Sequence, residues 1–237
     1  MTSKNKQMYD DFQLVFNNLS SNLAPGLDIF EISMYLTKAY FTFVSQTYEQ
    51  YEKSEAARKA LTELVTNVKL APYNFTDASD YQVTNESTFF KLPTDLLYIV
   101  YEQVQMPKDV PEEFKCLKGK NLEVTPIKHD DFHQVYDNPF RYNKKKALRL
   151  DVTNAAGERL SEIVVKSPRI QHYFLRYIRK PKPIILDNLT DDGTATGNAT
   201  DYIEGQYLES ECELNTIFFQ DIVRLAAKMA YQDYKAA

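Results

Sequence analysis

Between residues 6 and 20 the apolar side chains Met8, Phe12, Val15, Phe16 and Leu19 recur at spacings of three and four, the period of one helical face. The pattern predicts a short amphipathic helix, stopped by Ser20, Ser21 and Asn22 and then by Ala24, Pro25 and Gly26. Asp28 and Glu31 form a D-x-x-E variant of the capping box and open a second, longer helix. Its apolar face reads Ile29, Ile32, Tyr35, Leu36, Ala39, Phe43 and Thr47. Residues 55–68 give a third candidate helix with Ala57, Leu61, Leu64, Val65 and Val68 inward. Short connections predict antiparallel neighbours.

From Pro72 the texture changes to Thr, Asn, Tyr and Phe, and the expected strands begin. Phe89, Phe90 and Leu92 mark one, residues 96–101 an apolar second, and residues 122–127 and 147–152 two more. Residues 171–186 cluster Tyr173, Phe174, Leu175, Tyr177 and Ile178 ahead of Pro181 and Pro183. Proline lacks the ladder donor, so this segment is expected to end at an edge or to leave the sheet. Residues 187–201 are polar and small, which predicts an exposed loop. Asn215 is a candidate N-cap for a closing helix with Ile217, Phe218, Ile222, Leu225, Ala226, Met229 and Ala230 as its buried stripe. Helices, then strands, then a helix predict an α+β fold: an N-terminal helical hairpin or bundle, a central antiparallel β-rich region and a C-terminal helix. The chain reads as one domain, 1–237, in which residues 1–71 are helical, residues 72–186 are β-rich, residues 187–201 form the loop and residues 202–237 are helical again.

At 237 residues the chain is long enough to bury a core without staples. Cys116 and Cys212 lie far apart and outside any CxxC spacing, so both read as free thiols. No apolar run approaches the length of a membrane span, and residues 1–6 lead into charged sequence rather than a signal-peptide core. A soluble product with no membrane partner is expected. The net charge of −5 hides an internal polarity: residues 1–113 carry −7, residues 114–182 carry +9 and residues 183–237 carry −7. A basic middle between acidic ends attracts nucleic acid or pairs with acidic segments of a neighbouring copy. The 17 tyrosines suit partly wet protein interfaces, and equally an ordinary core with strands.

His129 and His133 flank Asp130 and Asp131, which places four potential metal ligands within five residues. With His172 far along the chain, the three- or four-ligand geometry of a zinc site is not indicated, and no metal is expected. Neither cysteine stands in a nucleophile elbow. The phosphate-cradling glycine motifs and the H-E-x-x-H pattern are absent, and six glycines leave little material for a phosphate loop. No catalytic residue and no cofactor are therefore expected. The remaining candidates are basic: Arg141, Lys144, Lys145, Lys146 and Arg149 beside Phe140 and Tyr142, and Arg169, Arg176, Arg179, Lys180 and Lys182 interleaved with Tyr173, Phe174 and Tyr177. Single-strand binders combine charge and aromatic stacking in this way, so segment 140–182 also reads as a nucleic-acid-binding module.

Three segments carry a family resemblance. Leu27, Asp28, Glu31, Ile32 and Ser33, followed by Leu36, Thr37, Lys38 and Ala39, form the first. Phe90, Leu92, Pro93, Asp95 and Leu96 form the second, with Asn138, Pro139 and Phe140 after it. The third runs from Phe174 through Pro181, Pro183 and Leu186 to Cys212, Leu214 and the helix of residues 222–231. In consistent order, these segments resemble head-to-tail connector ring proteins of short-tailed, crAss-like phages. The resemblance implies a structural protein of the virion, assembled in the host cytoplasm as a ring of about twelve like copies with a heterologous, closing interface. It further implies contacts to a portal protein and to the next ring or tail hub, around a channel that passes genomic DNA. Candidate interface residues on this reading are Arg141, Tyr142, Lys144, Lys145, Lys146, Arg149, Arg176, Arg179 and Lys180.

Overall fold

In the computed structural model of the chain, the described residues are 1–20, 26–74, 83–84, 87–143, 145–166, 170–191 and 193–236. The expected helix breaker at 21–25, Lys144, Arg169 and Asp192 lie outside them. The helices are α1 (Ser3–Ser20), α2 (Ile29–Glu49), α3 (Glu55–Leu61), α4 (Phe132–Tyr136) and α5 (Phe219–Ala236). The strands are β1 (Val65–Leu70), β2 (Ser87–Lys91), β3 (Leu96–Gln105), β4 (Asn121–Pro126), β5 (Lys146–Thr153), β6 (Arg159–Val164) and β7 (His172–Arg179). The fold is α+β and divides into a helical unit, residues 1–64 with 181–237, and a sheet unit, residues 65–180.

In the helical unit, α2 starts where the capping box places it. The Asp28 carboxylate accepts from Glu31 N at 2.7 Å, and the Glu31 carboxylate accepts from Asp28 N at 3.0 Å. Helices α1 and α2 both pack on α5 and bury Phe12, Phe16, Leu36 and Tyr40 along with Ile222, Val223, Ala226 and Ala227. The stripe of α5 is rotated from the expected one. Asn215 does cap, accepting from Ile217 N at 3.1 Å, but Thr216–Phe218 form a 3-10 turn that leaves Ile217 76% exposed and makes Phe219 the first buried anchor.

After β7 the chain passes through Pro181 and Pro183 and runs extended through Ile184, Ile185 and Leu186, all three buried. This stretch belongs to no named strand, so its buried backbone needs other partners. Ile185 exchanges N to O bonds with Ser210 at 3.0 Å in each direction, and three buried polar side chains supply the rest. Thr37 Oγ1 donates to Ile184 O and accepts from Ile184 N, each at 3.1 Å. Ser33 Oγ accepts from Leu186 N at 3.1 Å, and Asn5 Nδ2 donates to Ile185 O at 3.0 Å. Beyond it, residues 187–201 are largely exposed and cross-bonded within themselves, with Asn198 N donating to Asp191 Oδ1 at 3.0 Å and Leu189 tucked inward.

The sheet runs in the order β1-β7-β3-β4-β5-β6-β2. It is mixed rather than purely antiparallel, because β4 and β5 pair in parallel through a crossover that contains α4. The sheet curls on itself. Phe90 of β2 and Tyr173 of β7, near opposite ends of the strand order, stand 5.3 Å apart by ring centroids. Tyr73 N, just beyond β1, donates to Phe89 O of β2 at 2.8 Å. The enclosed core includes Phe90, Val104, Ile163, Tyr173 and Leu175, and a second cluster joins Phe132 and Tyr142 of the crossover to Leu148, Leu150 and Val164.

The candidate helix at 55–68 is corrected. Helix α3 ends at Leu61, a 3-10 turn covers Thr62–Leu64, and Val65 opens β1. The β-branched Val65, Thr66 and Val68 sit poorly in a helix and here pair with β7 from Val65↔Ile178 to Leu70↔Tyr173. Strands thus begin at residue 65 rather than after 72. Strand β6 had no sequence expectation, because buried Glu162 interrupts its apolar run; its carboxylate accepts from Val83 N at 2.7 Å. Strand β7 lies inside the sheet, between β1 and β3, and stops before Pro181, where the chain leaves the sheet.

Replacing Thr37 by Val keeps the side-chain shape but orphans both backbone groups of Ile184, and should cost at least about 2 kcal/mol. Thr42→Val, which removes an exposed hydroxyl bonded to Lys38 O, should cost under about 0.5 kcal/mol. Urea unfolding of the two variants measures both; equal midpoint shifts would contradict this role for Thr37.

Candidate functional site

The basic candidates divide into inward and outward groups. Arg149 is buried on β5, and its Nη1 donates to Glu102 Oε1 at 2.8 Å. The other Glu102 oxygen accepts from the Tyr173 hydroxyl at 2.5 Å. Arg149 Nε lies 3.2 Å from Asp151 Oδ1, close enough for charge attraction but not aligned as a hydrogen bond. Burial pushes the Glu102 carboxyl above its ordinary range, with Arg149 and Tyr173 opposing the shift. Burial, reinforced by Glu102, holds the Tyr173 hydroxyl protonated. Tyr142 is buried as well, donating to Val164 O at 3.0 Å and accepting from Lys166 N at 2.9 Å. These two of the nine candidates therefore serve the interior of the subunit. Tyr173 and Tyr177 also face inward; burial and a bond to Asp95 push the Tyr177 hydroxyl up to about 12. Only Phe174 of the interleaved aromatics of β7 points outward, half-buried.

Arg141, Lys145, Lys146, Arg176 and Lys180 are exposed and Arg179 is half-buried, while Lys144 falls outside the described residues. They do not form one patch of consecutive strand residues. Arg141 sits on a turn locked by Asn138, whose carbonyl accepts from Arg141 N at 3.1 Å and Tyr142 N at 2.9 Å and whose side chain accepts from Phe140 N at 2.9 Å. Anchored between Asn138 and buried Tyr142, this turn holds Phe140 out at 96% exposure, beside Arg141 and close in sequence to Lys145 and Lys146. A phenyl ring held exposed in a basic run of the sequence is a candidate for contact with a partner.

Arg176 belongs to a different face. Antiparallel register sets it between Asn67 of β1 and Tyr101 of β3, and sets Phe174 between Lys69 and Gln103. Arg176 Nε donates to Asn67 Oδ1 at 2.8 Å, and Lys69 Nζ lies 5.6 Å from the Phe174 ring centroid. A depression of about 350 Å³ is lined by these six residues with Val68 and Leu175, and Tyr101 there is half-exposed. Sequence reading missed Lys69, because the helix expected over 55–68 hid the strand that carries Asn67 and Lys69, and missed Tyr101, because it closed an apolar strand run.

The helical unit presents the opposite character. It holds 10 basic against 18 acidic side chains, a net of −8, whereas the sheet unit holds 18 against 15, a net of +3. Residues 187–213 carry eight Asp and Glu and no Lys or Arg. Within them Ile203 and Gln206 close a two-residue turn, N to O at 2.8 and 2.9 Å, around Glu204 at φ +50° and Gly205 at φ +75°. Positive φ at both central positions is the turn geometry that Gly and Asn adopt freely and Glu does not. Ile203 is buried beneath it and Tyr202 stands exposed, its ring edge-on to Tyr207 at 5.6 Å.

His129 and His133 are held apart in purpose. His129 Nε2 is 3.0 Å from Asp151 O, and the His133 ring packs edge-on to Phe132 at 5.4 Å. Among the described residues, no three His, Cys, Asp or Glu side chains are grouped to hold a metal ion, and no helix is long and apolar enough to cross a membrane. Cys116 is exposed, whereas burial pushes the Cys212 thiol up to about 12.

A family model described as phage tail ring protein 3/4 matches residues 1–237. Ring protein 3 of Bacteroides phage crAss001 is 31% identical over 239 residues, covering 95% of this chain and 94% of that protein. Ring protein 4/5 of the same phage is 28% identical over 233 residues, covering 95% and 91%.

Because Arg149 neutralises a buried carboxylate, Arg149→Met should destabilise the chain by about 3–5 kcal/mol. Without the guanidinium, burial holds the folded pKa of Glu102 above its unfolded value. That group then contributes stability in acid which is lost as pH rises through the raised value, so the deficit against wild type should grow from acidic to neutral pH. Denaturant titration across that range measures it; a deficit independent of pH would contradict the assignment.

Proposed function

This chain belongs to the phage tail ring protein 3/4 family, structural components of the virion, and from that premise we propose that it forms a ring at the head-to-tail junction, linking portal to tail around the channel through which the genome passes. The observation that carries this reading is the end-to-end match: residues 1–237 are all accounted for by the ring-protein family. In this reading the chain acts as a ring subunit with a structural rather than an enzymatic role. About twelve copies, joined head to tail, close such a ring. The axial partners in this reading are the portal protein on one side and the next ring or the tail hub on the other.

The opposite net charges of the two units support a heterologous contact, since a ring made from one chain joins two different patches of it. We assign the Phe140 turn, with Arg141, Lys144, Lys145 and Lys146, to contact with an acidic surface of a neighbouring copy or axial partner; Arg179 and Lys180 extend the basic surface of the same unit. Of the aromatics in segment 140–182 that the nucleic-acid reading drew on, Tyr142, Tyr173 and Tyr177 are committed to the core, which leaves Phe140 and Phe174 outward. DNA is in this reading cargo of the channel.

Reconstruction of the virion by electron microscopy tests the placement. The expected result is rotationally repeated density for this fold between portal and tail; its location elsewhere in the particle would refute the junction assignment. Reversing Lys144, Lys145 and Lys146 to Glu should weaken assembly at low ionic strength by about tenfold or more, and Phe140→Ser should act in the same direction. Pelleting of assembled rings measures both, and unimpaired assembly would remove the Phe140 turn from the contact surface.

A further inference from the structure

We propose that the acidic turn of residues 203–206 docks on the outer β1-β7-β3 face of the next copy, with Glu204 meeting Arg176 and Lys69 and the Tyr202 ring entering the depression beside Tyr101. This inference rests on the ring reading above and supplies a second intersubunit contact, separate from the Phe140 turn.

The sheet face is built for an anionic, aromatic visitor. Its eight lining residues include two cations and no carboxylate; Glu102 of β3 points into the core, and exposed Glu123 of β4 stands beyond Gln103, on the far side from Lys69 by register. Arg176 is held in place by Asn67, and Lys69 lies over the Phe174 ring, so both cations are positioned before any partner arrives. Preorganised charge loses less freedom on binding. The depression of about 350 Å³ is of the size that receives a large side chain or two.

The turn has the complementary form. Glu204 holds φ +50°, where Gly or Asn would be unstrained, and is exposed at the tip of the turn. The buried Ile203 beneath and the Tyr202–Tyr207 ring contact fix the turn, so Tyr202 at 58% exposure and Glu204 project together from an acidic stretch that lacks any cation. Turn and face occur once each on every chain and differ from one another. A contact between them is therefore heterologous, the kind that propagates around a ring.

Charge exchange with electron microscopy and sedimentation of the purified chain at low salt tests the pairing. Glu204→Lys and Arg176→Glu should each raise the concentration needed for ring assembly about tenfold, and the two together should restore much of it. Glu204→Gly relieves the backbone, so it should hold or raise the thermal midpoint while still weakening assembly, which separates docking from folding. In a Cys116→Ser background, Glu204→Cys combined with Arg176→Cys should cross-link on oxidation into a ladder ending at the closed ring. Single variants that assemble like wild type, or a double variant no better than the worse single, would overturn the pairing. So would loss of oligonucleotide binding by Arg176→Glu with assembly unchanged, which would give the face to nucleic acid. A wild-type chain that forms no ring would overturn the ring reading itself, whereas variant rings equal to wild-type rings would remove only this contact.

Discussion

Glu102 and Arg149 meet inside the curled sheet across the short strand β4, and the organisation of the sheet unit depends on that contact. Strand β4 pairs with β3 over three residues, Asn121–Glu123 by register, and with β5 over four, so few ladder bonds join the two halves of the sheet. Arg149 spans this weak seam from β5 to β3, and Tyr173 extends the link to β7. A buried carboxylate and guanidinium are costly alone and tolerable together, which makes the curl conditional on both. The crossover with Phe132 and Tyr142 closes the same seam from the apolar side, since parallel strands require a connection that passes over the sheet.

The interior of each unit thereby uses up its own chemistry. Asn5, Ser33 and Thr37 serve the backbone of residues 184–186 in the helical unit, and Arg149, Tyr142 and Tyr173 are spent within the sheet unit. What remains outward is unlike in sign: the Phe140 turn and the Lys69–Arg176 face on one unit, the carboxylate-rich stretch 187–213 on the other. A family of ring proteins has reason to keep such asymmetry, because unlike patches on identical subunits favour the next copy in one orientation.

The sequence made the helices legible where side-chain periodicity and caps agreed. The Asp28 and Glu31 box and the Asn215 cap stand as read. It misled where two periods overlapped: Ala57, Leu61 and Leu64 continue a helical spacing into Val65 and Val68, whose β-branching is honoured only because β7 offers a partner far along the chain. Strand β6 was hidden by Glu162, whose burial depends on Val83 N, a contact that local pattern does not contain. Among the basic residues, composition could not separate Arg149 from Lys145 and Lys146. The difference is a carboxylate 47 positions earlier in the chain that faces only the first. Phe140 was visible as an apolar residue in a basic run, but its exposure follows from the Asn138 turn and buried Tyr142 that hold it.

The central proposal is that identical copies close into a ring through charged, outward surfaces while each folded interior stays intact. Native mass spectrometry of the purified chain over a series of ionic strengths tests it most directly. A single closed stoichiometry at low salt, giving way to folded monomer as salt rises, is the predicted result. A monomer at every ionic strength, or an open-ended series of masses with no preferred closed species, would contradict it.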